Sequence, residues 1–116
     1  MTDATMTLAL TDMTRRVRDH YGKRLLGVYQ LSTAGEYDDE DAPEAEIVVV
    51  LKDGDWRLMD EIEVLAGLAF DSLMVTEIYI SADPISSSAW DDPSHEAHRE
   101  TVGSRKTAAN ALLEVV

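Results

Sequence analysis

The chain has 116 residues, with 23 acidic against 10 basic side chains, a formal net charge of −13 and no cysteine. This length predicts a single domain, and the lack of cysteine excludes disulfides and thiolate metal sites. The acid excess argues against nucleic acid or an anionic membrane as the main partner, because both would repel an acidic surface.

Other global features concern the cell compartment. No stretch approaches the roughly twenty apolar residues that a membrane span needs, and residues 1–3 lack the basic region of a signal peptide. Only three of the ten basic residues are lysines. An acid excess with few lysines is typical of a high-salt cytoplasm, where screening weakens repulsion between like charges. The sequence therefore predicts a soluble cytoplasmic protein from a halophilic source.

The first half of the chain predicts one helix and two strands. Apolar residues recur at spacings of three and four over 5–21, which predicts a helix that ends at Gly22. These residues are Leu10, Met13, Val17 and Tyr21. The apolar run 25–31 predicts a first strand, an acidic loop follows over 32–43, and the run 44–51 predicts a buried second strand.

The second half predicts a helix, a strand and a helical C-terminal part. Asp55 is the expected N-cap of the second helix. The apolar stripe of this helix is expected to contain Leu58, Ile62, Leu65, Ala66 and Ala69. The run 73–80 predicts a third strand, 83–88 a loop, 94–100 a short helix and 106–113 a final helix.

Three glutamates stand out by their positions in these elements. Glu44 and Glu46 are two residues apart at the start of the second strand, so their side chains are expected to share one face. Glu77 lies within the predicted third strand, where a purely structural strand rarely has an acid. Convergent carboxylates bind divalent cations, which predicts a metal clamp. The alternative is a polar strand entrance with Glu77 facing solvent.

The order of elements resembles that of the minimal nucleotidyltransferase domain, a branch of the polymerase-beta-like superfamily. In that family a helix and a strand lead to a Gly-Ser loop, an Asp-x-Asp pair leads the next strand, and a later strand carries a third Asp. Here 27–36 stands in place of the loop, Glu44-Ala45-Glu46 in place of the pair, and Glu77 in place of the third acid. The resemblance covers roughly 5–81 and implies an α+β fold with a small mixed sheet and helices mainly on one side.

The resemblance also implies an activity. It is the transfer of a nucleoside monophosphate from ATP or another nucleoside triphosphate to a protein or small-molecule acceptor. In such a site Glu44, Glu46 and Glu77 would hold Mg²⁺, and Glu77 would also orient or deprotonate the attacking hydroxyl. Ser32 and Gly35 would contact the phosphates.

Two departures from the family pattern bear on that activity. Leu31 occupies the place of a loop glycine, where backbone normally approaches phosphate closely. The segment 32–46 contains seven acids and no Lys or Arg, and these acids repel a triphosphate. Both departures favour loss of catalysis.

Two further hypotheses do not need catalysis. Family members are frequently paired with a helical toxin-like protein, which they modify or mask as an antitoxin. One alternative is therefore a non-catalytic interaction module that masks such a partner or forms a homodimer through Trp56, Trp90 and 111–116. The other is a small ligand-binding domain unrelated to nucleotides, which requires Glu77 to lie away from Glu44 and Glu46.

Overall fold

The structure, a computed structural model, describes residues 3–31, 45–92, 94–96 and 110–114. The helices are α1 (Asp3–Tyr21), α2 (Leu58–Thr76) and α3 (Ser87–Trp90), and the strands are β1 (Leu25–Leu31), β2 (Ala45–Leu51), β3 (Ile80–Ser86) and β4 (Asn110–Glu114). A 3-10 turn, Gly22–Arg24, joins α1 to β1. No helix within these ranges is long and apolar enough to cross a bilayer.

The four strands form one mixed sheet in the order β3-β2-β1-β4. β2 pairs parallel with β3 and antiparallel with β1, and β4 pairs antiparallel with the other side of β1. In the described part of the chain, β3 and β4 are therefore the two edge strands. The predicted α+β class with a small mixed sheet is confirmed.

Both faces of the central strand β2 are covered. Ile47 points to the face covered by α1 and α2, where it joins Met13 and Leu65 in the main core. Val48 points to the opposite face and joins a smaller core with Trp90 of α3. All seven residues of β2 are buried as a result. The two long helices lie on one side of the sheet, as predicted.

The first three elements agree closely with the sequence predictions. The helix predicted over 5–21 is α1, the strand predicted over 25–31 is β1, and the strand predicted over 44–51 is β2. Each residue of the predicted α1 stripe is buried, namely Leu10, Met13, Val17 and Tyr21. Gly22 follows α1 with a φ of +57°, a left-handed conformation that favours glycine.

The start and the buried face of α2 differ from the prediction. Asp55 is not the N-cap; Arg57 holds that position with an extended backbone and no capping side-chain bond. The buried residues of α2 are Glu61, Leu65, Ala69 and Ser72, whereas Leu58 and Ala66 are exposed. The core face includes an acid because the Arg24 guanidinium lies 3.3 Å from a Glu61 carboxylate oxygen.

The strand predicted over 73–80 is wrong. α2 continues to Thr76, and Glu77 ends the helix in the left-handed conformation, with a φ of 63°. The Glu77 N–H donates to the Leu73 carbonyl at 2.8 Å, and the Ile78 N–H donates to Thr76 Oγ1 at 3.2 Å. These bonds satisfy groups at the helix end. Glu77 is thus a helix cap and not a strand residue.

The loop predicted over 83–88 is also wrong, because 83–86 belong to β3 and 87–88 to α3. β3 accommodates Pro84 because an edge strand has one unpaired side, where a missing N–H is tolerated. The Ser86 hydroxyl accepts a hydrogen bond from the Ala89 N–H at 3.2 Å. Ser86 therefore caps α3 directly after the strand.

The predicted C-terminal helix is wrong over 110–113, which lie in β4. Alanine and leucine favour a helix, but pairing with β1 outweighs this local preference. Leu112 and Leu113 are half-buried and pack against the main core. Residues 106–109 and most of the helix predicted over 94–100 lie outside the described residues.

Candidate functional site

Part of the predicted nucleotidyltransferase site can be located in the structure. Ser32, Gly35 and Glu44 lie outside the described residues. Glu46 and Glu77 are described, so their relative positions can be compared directly.

Glu46 lies on β2 and is 8 % exposed. Its register neighbours are Leu31 on β1 and Ser81 on β3. Alternation along the strand places Glu46 on the face opposite Ile47, which is the face covered by α3. Leu31 is buried in the core of that same face, so its bulk is used in packing.

Glu77 belongs to the other side of the sheet. It is exposed and ends α2, whose core face packs with Ile47 and Leu51. The described chain therefore does not bring Glu46 and Glu77 to one face. Within the described ranges, no group of three or more His, Asp or Glu side chains is placed to hold a metal ion. Glu44 lies outside the described residues, so the Mg²⁺ site stays a prediction.

The residues predicted as apolar anchors of an interaction module take part in the fold where they are described. Trp90 is 8 % exposed and stacks on Tyr29 with ring centroids 4.7 Å apart. Trp56 is half-buried, and its Nε1–H donates to the Lys52 carbonyl at 2.9 Å. Residues 111–113 form part of β4. Trp90 and Trp56 are thus in contact with other parts of the chain, and the end of the segment 111–116 lies outside the described residues.

An apolar groove runs between α2 and the edge strand β3. Its volume is about 340 Å³, and we call it the α2–β3 groove. Apolar residues that line it include Ile62, Ala66, Phe70 and Leu73 from α2 together with Tyr79 and Ala82 from the β3 side. The four α2 residues are spaced by four, four and three, so they form a stripe along one flank of the helix. α2 therefore has an apolar flank beside its core face.

Several large apolar side chains of α2 are exposed, and one of them, Phe70, lines the groove. Phe70 is 59 % exposed, Met74 is 67 % exposed and Met59 is 66 % exposed. Exposed apolar patches mark interaction sites in proteins, and Phe70 belongs both to the exposed set and to the lining of the groove. Sequence reasoning missed these residues because the flank and the core face of α2 form one nearly continuous apolar pattern.

The charged side chains that the groove's own elements contribute are acidic. The span 58–86, which contains α2 and β3, includes six acids and no Lys, Arg or His. Asp83 lines the groove, and Glu63 and Glu77 are exposed on the same helix and at its end. The groove therefore combines an apolar floor with acidic surroundings.

A polar cluster lies near the start of α2, outside the groove. The Arg24 guanidinium pairs with Glu61 and lies 5.2 Å from the centre of the Tyr21 ring. Burial raises the pKa of the Tyr21 phenol above its usual range, and the nearby Glu61 carboxylate adds to the rise. This cluster joins α2 to the end of α1 and has a structural role.

No protein-family model, curated protein or solved structure matches this chain. The nucleotidyltransferase resemblance, with its Mg²⁺ and nucleoside triphosphate, therefore stays a prediction from the sequence. A function for the chain has to be inferred from the geometry of the described residues.

Proposed function

We propose that this chain is a protein-interaction module that binds a basic, amphipathic helix of a partner protein in the α2–β3 groove. The observation that carries the proposal is an apolar groove with the exposed Phe70 in its lining, Asp83 beside it, and the exposed acids Glu63 and Glu77 on α2 and at its end. An apolar stripe anchors the partner helix, and the acids select basic residues beside that stripe. The role is the non-catalytic alternative that the sequence allowed.

A helix fits this surface better than a strand. α2 has 19 residues and is about 28 Å long at 1.5 Å per residue, enough for several helical turns of a partner. Strand addition requires a row of backbone donors and acceptors along β3, and Pro84 lacks an N–H. We therefore assign the groove to helix-in-groove recognition.

The charge of the chain favours a different partner over a second copy. Two copies would each carry a formal charge of −13 and would repel at moderate salt. A basic helix is attracted to the same surface. Masking of a helical toxin-like protein, which the family resemblance implies, is compatible with this mode and requires no transfer step.

Phe70 and Met74 are the expected hot spots of the interface. Full burial of a side chain of this size contributes about 1.5–3 kcal/mol by the hydrophobic effect. Aromatic anchors in a desolvated centre commonly dominate interface energies. The acids around the groove are expected to contribute more to partner selection and association rate than to affinity.

The test is calorimetric titration with two synthetic helical peptides of about 20 residues, matched to the length of α2. Both peptides carry the same leucine stripe, and the remaining positions are lysine in one and glutamate in the other. We expect the lysine peptide to bind and the glutamate peptide not to bind. Phe70→Ser and Met74→Ser should each lower the affinity for the lysine peptide about tenfold or more.

Leu8→Ser is the matched control, because Leu8 is 69 % exposed but lies on α1. Equal weakening by Leu8→Ser and Met74→Ser would contradict the groove assignment, as would equal binding of both peptides. If the protein sediments as a single dimeric species and Phe70→Ser converts it to a monomer, the groove is the interface with a second copy. Mg²⁺-dependent binding of ATP that is lost in Glu46→Gln would favour nucleotidyl transfer instead.

A further inference from the structure

A second cavity lies at the opposite edge of the sheet, between α1 and β4. Its volume is about 470 Å³, and we call it the α1–β4 cavity. α1 contributes three threonines and two arginines to its lining, and β4 contributes leucine. These residues include Thr7, Thr11, Thr14, Arg15, Arg18 and Leu112.

The polar lining follows from helical spacing. Thr7, Thr11, Thr14 and Arg18 are separated by four, three and four residues, so they form one stripe along α1. This stripe borders the buried face of the helix and lies towards β4. Three hydroxyls and a guanidinium are thus placed along one wall of the cavity.

Two guanidinium groups line the cavity, and each lies beside an aspartate outside the lining. Arg15 and Arg18 both line it, and no Asp or Glu among the described residues does so. The Arg15 side chain is 53 % exposed and pairs with Asp12 at 2.9 Å. The Arg18 side chain is 58 % exposed and lies 3.6 Å from Asp19. A guanidinium has five N–H donors, so one carboxylate contact leaves donors for a ligand.

One hydroxyl of the threonine stripe is not open to the cavity. The Thr14 hydroxyl is buried and has no hydrogen-bond partner within the described ranges. A buried polar atom without a partner costs free energy, and such atoms are rare in folded proteins. The hydroxyls that a ligand in the cavity can reach are therefore those of the exposed Thr7 and Thr11.

We propose that the α1–β4 cavity binds a small organic anion that has a carboxylate or phosphate group on an apolar body. Arg15 and Arg18 donate to the anionic oxygens, with Thr11 as an additional donor. The apolar body packs on Leu112 and its leucine neighbours. A volume of this order suits a small molecule. The proposal concerns the β4 edge and is independent of partner binding at the β3 edge.

The test is an NMR titration of the ¹⁵N-labelled protein at low salt with benzoate, phenyl phosphate and the neutral analogue benzyl alcohol. We expect saturable shifts of amides in α1 and of Leu112 and Leu113 with at least one anion. The two anions separate a carboxylate ligand from a phosphate ligand. Equal binding of benzyl alcohol, or shifts spread over the whole chain, would overturn the proposal.

Variants test the assigned donors. Arg18→Met should lower the affinity for the anion about tenfold, because a charge-assisted hydrogen bond is lost. Lys23→Met removes the same charge from an exposed site outside the cavity and should change affinity by less than about twofold. Thr11→Val should weaken binding severalfold without changing the net charge. Equal weakening by Lys23→Met and Arg18→Met, or no effect of Arg18→Met and Thr11→Val, would contradict the site.

Discussion

The two edges of the sheet carry opposite chemistry. At the β3 edge, the α2–β3 groove is apolar and the surrounding span 58–86 has acids but no basic residue. At the β4 edge, the α1–β4 cavity has two arginines and three threonines, and no acid in its described lining. A formal charge of −13 does not reveal this division. Partner chemistry depends on where the helices place their flanking residues and not on the charge of the whole chain.

The largest expected effect separates the core of α2 from its exposed flank. Leu65→Ala should lower the free energy of unfolding by about 2–5 kcal/mol, because Leu65 is fully buried in the main core. Phe70→Ser should change it by less than about 0.5 kcal/mol, as expected for an exposed position. Urea denaturation measures both. A loss above about 2 kcal/mol for Phe70→Ser would mean that the groove residues belong to the core.

A second prediction compares the ends of the two helices that line the edges. Gly22 after α1 and Glu77 after α2 both have a left-handed backbone. Gly22→Ala should lower the free energy of unfolding by about 1–2 kcal/mol, since a Cβ at that position meets no neighbour and only the backbone cost remains. Glu77→Gly should raise it by about 0.5–1 kcal/mol.

Glu77→Ala is the control for this pair of variants, because it removes the carboxylate but keeps the left-handed strain. Thermal and urea denaturation of the three variants provide the comparison. If Glu77→Gly lowered stability, the carboxylate itself would have a stabilising contact. Glu77 would then do more than end the helix.

The third prediction concerns acid pH and the anchoring of Arg15 beside the cavity. Burial alone would raise the pKa of Asp12, but hydrogen bonds from Arg16 and Arg15 outweigh it and hold the pKa below its usual value. Because the folded-state pKa is depressed, the stabilisation is present above the unfolded pKa of about 3.9 and is lost as pH falls through the folded value.

Asp12→Asn should therefore lower the free energy of unfolding by about 1 kcal/mol at neutral pH and by less near pH 2. Urea denaturation of both proteins over this pH range measures the difference. Parallel pH profiles of the two proteins would show that Asp12 does not contribute in this way.

The fourth prediction uses salt to separate stability from binding. Raising KCl from about 0.1 M to about 1 M shortens the Debye length from about 10 Å to about 3 Å. Repulsion within the acidic chain then weakens, so the unfolding temperature should rise. Affinity for the lysine peptide should fall severalfold over the same range. A rise in both quantities would indicate that apolar contacts alone determine peptide binding.

The sequence predicted α1, β1 and β2 because their patterns are unambiguous. The stripe of α1 has strict helical spacing, and β2 contains the uninterrupted apolar run 47–51. The run 73–80 contains residues that suit either a helix or a strand. Residues 73–76 continue α2, and only Ile80 of this run lies in β3. The helix predicted at 110–113 was wrong because pairing with β1 is a long-range contact that local propensity does not contain.

The site was less predictable than the fold. The flank of α2 that forms the groove becomes distinct only when the position of the helix over the sheet is known. Likewise, Thr7, Thr11 and Arg18 are ordinary surface residues in the sequence until β4 lies beside them. Ser32 and Glu44 lie outside the described residues, so the predicted transfer site still rests on the resemblance.

One measurement tests the contrast between the two edges most directly. A single ¹⁵N-labelled sample is titrated first with the lysine peptide and then, in a second series, with benzoate. We expect the peptide to shift amides of α2 and β3, benzoate to shift amides of α1 and β4, and each to bind in the presence of the other. The division of the sheet into two binding edges would be contradicted if both ligands shifted amides at the same edge, or if the peptide shifted amides of α1 and β4.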